Sequence, residues 1–168
     1  SYAEAAADNY YYTATAFNAL FTPEDKSLYT WNAVGPVSGG PWLGPYKAVF
    51  YANQALETLK SFPPSQERSK LTGAALFFRA YGHFQVASLF AKPYTPATGN
   101  TDLSIPLRLT ADFNVPSVRV TNKKVYDQVL SDFKQSAGLL PVNSLVPTRP
   151  VRGAAFAAIA RTYLPMGD

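Results

Sequence analysis

The chain has 168 residues, of which 47% are hydrophobic, 14% aromatic and only 15% charged, with a formal net charge of +4. That length suits one domain with a sizeable core, and a charge content below the roughly 25% of ordinary soluble domains argues against disorder. The basic residues are scattered instead of forming a stripe, which disfavours nucleic acid; the lack of Cys excludes disulfides and thiolate metal sites; no apolar run nears the ~20 residues of a membrane span.

Residues 3–20 are rich in Ala and Tyr, and Tyr10, Ala14, Phe17 and Phe21 recur at helical spacing, which predicts a first helix there. Thr22 followed by Pro23 and Glu24 is an N-cap pattern, but "GPVSGGP" at 35–41 limits it to a short helical turn. The stretch "PWLGPYKAVFYANQALETL" at 41–59 reads as a helix from Trp42 or Gly44 to about Phe62. Its core-facing side is expected to carry Trp42, Tyr46, Val49, Phe50, Asn53, Leu56 and Leu59. Pro63 and Pro64 end it, and Ser65 caps a further helix to about Ala91, with Leu71, Ala75, Phe78, Gly82, Gln85 and Leu89 at helical spacing.

Residues 92–120 hold four prolines and no sustained period, so they read as a long ordered loop with a brief extended piece at Ile105 to Leu109. Thr121 then caps a helix with Val125, Tyr126, Val129, Leu130, Phe133 and Ala137 on its apolar face, ending near Gly138. The Ala-rich "GAAFAAIARTYL" forms the last helix, from Val151 to Leu164, whose Phe156, Ile159 and Tyr163 call for a neighbour and predict self-association. The expected fold is all-α: stacked helical hairpins of the tetratricopeptide kind with long irregular loops, although no clean 34-residue period can be laid over the chain.

Several separated phrases resemble the SusD-like (RagB-type) nutrient-binding proteins of Gram-negative outer membranes. They are "ADNYYYT", "LYTWNA", "PWLGPYKAVFYANQALETL", "GAALFFRAYGHFQVASLFAKPY" with Arg79, "DLSIPLRL", "VYDQVLSDFKQSAGLLP" with Asp132, and "TRPVRGAAFAAIARTYL". The resemblance implies that residues 1–168 are the N-terminal helical portion of a longer, lipid-anchored, cell-surface protein of the outer membrane. It also implies a SusC-like TonB-dependent transporter as partner and an oligosaccharide or other nutrient as ligand. An alternative is a helical scaffold that docks the transporter, with ligand chemistry in a C-terminal region.

Within the residues themselves, Tyr29, Trp31, Asn32 and Trp42 flank the 33–41 loop, and an aromatic face beside an amide is the pairing a sugar ring needs; these four are the candidate ligand-binding residues. Asn53, in the middle of an apolar face, is expected to tie a neighbouring loop, and Arg79 to pair with a carboxylate, of which Asp132 is one, or with helix-end carbonyls. His83 has no acidic residue one turn away, which makes it a packed side chain in preference to a metal ligand or base. No spacing of carboxylates, and no Ser or Gly-rich motif, forms a catalytic constellation, so the sequence predicts no enzyme, cofactor or metal site.

Overall fold

The computed structural model describes residues 7, 9–32 and 39–167. The chain divides into two units, Ser1–Pro41 and Trp42–Asp168, and each is considered by itself.

In the first unit, helix α1 covers Ala14–Asn18 and helix α2 covers Pro23–Tyr29. Helix α1 is much shorter than the 3–20 pattern suggests, and the part before residue 7 lies outside the described residues. Thr13 stops it: its side chain accepts the Ala16 N–H as an N-cap, which fixes Thr13 in extended backbone. Tyr10 and Tyr12, upstream of that cap, instead pack with Phe17 around Tyr29, and the Tyr12 N–H donates to the Tyr29 hydroxyl at 3.0 Å. Helix α2 starts as read, with Thr22 accepting the Asp25 N–H at 3.0 Å and Pro23 in the first turn, and runs seven residues.

The second unit is built from α3 (Gly40–Leu59), α4 (Gln66–Phe90), a two-stranded antiparallel ribbon of β1 (Leu103–Pro106) and β2 (Arg119–Thr121), α5 (Asn122–Leu139) and α6 (Arg152–Tyr163), closed by a 3-10 turn at Leu164–Met166. Pro41 falls in the first turn of α3, where a missing N–H removes no helical bond, so that helix begins two residues before Trp42. Ser65 and Thr121 cap α4 and α5 through their hydroxyls, as their sequences announce. The fold class is all-α, with stacked helical hairpins.

The core gathers Ala80, Val86, Ala87, Ile105, Val125, Val129 and Phe133, with Phe77, Tyr81 and Ile159 packed on it. Close approach is set by small residues. A Cβ at Gly82 would meet Val49 at 2.7 Å and the Pro45 carbonyl oxygen at 2.8 Å, so α3 and α4 touch almost backbone to backbone there. Gly73 plays the same part beneath Leu139, and Ser136 of α5 donates to the Gly73 carbonyl at 2.8 Å.

Phe50 of α3, expected on its core-facing side, is instead half exposed, and so are Leu71, Phe78 and Leu89 of the helically spaced set on α4. The helix buries Gly73, Ala75, Leu76, Ala80, Gly82, His83, Val86 and Ala87, a stripe of mostly small residues that the larger side chains flank. Leu71 and Phe78 line an open apolar groove of about 660 Å³ between α3 and α4 with Tyr51, Leu59 and Ala74.

Candidate functional site

Tyr29, Trp31 and Asn32 stand together at the C-terminal end of α2. Thr30 closes the helix, donating its N–H to the Lys26 carbonyl at 3.0 Å, and the Asn32 N–H reaches the Ser27 carbonyl at 2.8 Å. Between them Trp31 takes φ of 55°, and among the described residues it is the one non-glycine with positive φ. A bulky residue in the left-handed region costs roughly 1–2 kcal/mol. The indole held there is 74% exposed, so burial does not offset that cost. Tyr29 packs within the Tyr10, Tyr12 and Phe17 cluster. The 33–38 part of the loop that these residues flank lies outside the described residues.

Trp42 belongs to the second unit. It is half-buried, edge-on to Phe90 of α4 at 5.1 Å between ring centroids and tilted against Tyr46 at 5.1 Å. One side of it therefore anchors α3 to α4, and another side lines a cleft of about 340 Å³ with Tyr46, Phe50, Arg108, Thr110 and Phe113.

The wall of that cleft is a loop, residues 107–118, tied down from beneath by buried polar groups. Asn53 is 1% exposed and donates its amide to the carbonyls of Arg108 at 3.0 Å and Thr110 at 3.1 Å, the tie expected of it. Its Oδ1 accepts from Arg79 at 3.2 Å, and Arg79 in turn forks onto Asp132 of α5 at 2.7 and 2.8 Å. Tyr46 donates its hydroxyl to the Pro106 carbonyl at 2.6 Å, and burial pushes its pKa far above the usual phenol value against the opposing charge of Arg108. These ties pull residues 107–109 out of the ribbon, which is why the extended piece sits at Leu103–Pro106 instead of running to Leu109.

His83 completes the set. It is fully buried on α4, and its Nε2 accepts the Arg108 N–H at 3.2 Å, so the neutral ring carries its proton on Nδ1. Burial, followed by the nearby Arg79 charge, lowers its pKa from 6.5 to about 4, with the Arg79 carbonyl acting the other way. At neutral pH it is a packed acceptor. Among the described residues, no three His, Asp or Glu side chains come close enough to hold a metal ion, and no helix is long and apolar enough to cross a membrane.

Sequence reasoning found Asn53, Arg79, Asp132 and His83 but not the cleft. The signal for it was present in "RLTADFNVPS": the Arg108 guanidinium curls back to the carbonyls of Asp112 and Val115, and the Asp112 carboxylate accepts the Asn114 N–H at 2.8 Å, an Asx turn that presents Phe113.

The second unit is thus a fold of helical hairpins with a long loop held down by polar side chains. A sequence profile of the SusD-like family, described as starch-binding associating with outer membrane, matches residues 2–164, and the chain belongs to this family. Among solved structures it is similar to a putative sugar binding protein from Bacteroides vulgatus, at 22% identity and a TM-score of 0.75 over 84% of this chain and 33% of that one. A SusD superfamily protein from Bacteroides thetaiotaomicron is similar at 26% identity and a TM-score of 0.72, over 84% of this chain and 32% of that one. Another, from Bacteroides vulgatus, reaches a TM-score of 0.76 at 21% identity over 88% and 34%. The chain thus spans about a third of the length of these structures. No protein with a curated description matches it.

Proposed function

We propose that the chain is the N-terminal helical portion of a longer, non-catalytic carbohydrate-binding protein of the outer membrane. In this reading the protein is lipid-anchored and cell-surface exposed, and it presents oligosaccharide to a SusC-like TonB-dependent transporter. Family membership and the sugar-binding description of one neighbour support the class of ligand. The observation that carries it onto this chain is Trp31: a strained backbone holds an exposed indole, on which a pyranose ring can stack its C–H face. Titration calorimetry with maltoheptaose, cellohexaose and xylohexaose tests it, with circular dichroism as a check on folding. Saturable binding that weakens about tenfold in Trp31→Ala is the expected result. Absence of binding by the folded wild type refutes it.

A second reading is favoured by the apolar groove between α3 and α4, which leaves Tyr51, Leu71 and Phe78 half exposed. In it the helical surface is a scaffold that docks the transporter, and the ligand is held by other parts of the protein. Retained sugar binding together with lost transporter association in Phe78→Ser would assign the groove to that role.

A further inference from the structure

The 107–118 loop is held by side chains from α3 and α4, and what it displays is an exposed ring. Four side chains reach its backbone, Asn53, His83, Glu57 through the Ala111 N–H at 2.9 Å, and Arg108 from within, while Tyr46 holds Pro106, the strand residue just before it. Two of these, Asn53 and His83, are buried, and the Asn53 amide N–H and the His83 Nε2 would be left unpaired if the loop moved away. Phe113, at the Asx turn of this fixed loop, is 84% exposed. A loop whose conformation is over-determined from below does not need that phenyl group for its own folding.

Phe113 stands at a cleft whose other apolar surfaces are Phe50, Trp42 and Tyr46, with the hydroxyl-bearing Thr110 and Ser117 on its loop side. About 340 Å³ is the low end of the range for small-molecule sites, which suits one ring rather than an extended chain. The lining has no carboxylate, and its one cation, Arg108, already donates to the Asp112 and Val115 carbonyls, so a neutral ligand is matched better than a charged one. Flat aromatic faces with a few hydroxyls are the complement of a neutral sugar ring. Resting on the carbohydrate-binding reading above, we infer that this cleft is a second glycan subsite, which takes one neutral pyranose unit with Phe113 as its stacking surface.

The test uses the purified protein titrated with the same three oligosaccharides, comparing wild type, Phe113→Ala, Phe113→Tyr and Trp31→Ala. Because Phe113 is almost wholly exposed, its variants should keep the wild-type circular dichroism spectrum. Affinity is expected to fall about five- to tenfold in Phe113→Ala and to stay within about twofold in Phe113→Tyr. Wild-type affinity in Phe113→Ala, with binding lost in Trp31→Ala, overturns this subsite and leaves the proposed function standing. Unchanged sugar affinity with self-association lost from Phe113→Ala in sedimentation also overturns it, and makes the loop a protein contact. No binding by folded wild type removes the carbohydrate reading and the subsite together.

Discussion

Helix α4 is packed on two sides by different means. Toward α5 it meets large apolar side chains, Phe133, Val129 and Val125, and a forked ion pair, Arg79 with Asp132, whose carboxylate also accepts from Gln128 at 2.8 Å. Toward α3 it meets the Val49 side chain and the Pro45 carbonyl at Gly82, where a Cβ would not fit, and farther along it faces Ala48, Ala52 and Ala55 across an open groove. Large residues fill most of one seam, with Gly73 under Leu139 as its close approach. The other seam is close at Gly82, is joined by Trp42 and Phe90 at one end, and leaves an open groove at the other.

The closed seam should be the more costly to break. Removing Asp132 leaves the Arg79 guanidinium nearly buried without its counter-ion, and Asp132→Ala is expected to cost about 3–5 kcal/mol in urea unfolding. Replacing both partners, as Arg79→Met with Asp132→Leu, should cost much less, because no charge is then left stranded. Equal losses in the single and double variants would mean that the seam depends on packing alone.

The contrast between the two seams was partly legible beforehand. Arg79 among apolar residues called for a carboxylate or helix-end carbonyls, and Asp132 was one partner the sequence offered; the structure selects it. Helix boundaries followed from Ser65, Thr121 and the prolines, since a cap is a local property of a few residues. Phe50, expected on the core-facing side, is half exposed, as are Leu71 and Phe78, because period alone does not say which flank of a wide stripe has a neighbour. The short α1 was hidden for a related reason: contacts with Tyr29, seventeen residues from Tyr12, decide the conformation of Tyr10 and Tyr12, and no local pattern contains them. Trp31 could be chosen as an exposed ring, but its left-handed backbone could not.

His83 tests the α3 side as a whole, since it faces Tyr46 of α3, Arg79 of its own helix and Arg108 of the loop, all while neutral. Its pKa of about 4 in the folded chain lies below the roughly 6.5 of an unfolded one, so the unfolded state takes up the proton first. The stability it contributes is therefore full above about pH 6.5 and is lost as the pH falls toward 4, by up to about 3 kcal/mol. Unfolding measured at several pH values should show that slope in wild type and a flatter one over the same window in His83→Gln. The Asp102 carboxyl, held low by its hydrogen bonds from Lys92 and Thr98, titrates below that window and does not imitate it.

The smallest effects come from glycines, and they separate close approach from open space. Gly82→Ala places a methyl group 2.7 Å from Val49 Cγ2 and 2.8 Å from the Pro45 carbonyl oxygen, and the carbonyl cannot yield without moving α3. A loss of about 1–3 kcal/mol is expected, the usual cost of overpacking, with faster proteolysis of the 107–118 loop because Asn53 and Tyr46 move with that helix. Gly138→Ala, near the end of α5, meets nothing within 4 Å and should stabilise by about 0.5–1 kcal/mol through helix propensity alone. If thermal unfolding ranked the two alike, the α3–α4 seam would be more pliable than its backbone contact implies, and the loop it supports would not be held firmly enough to present Phe113.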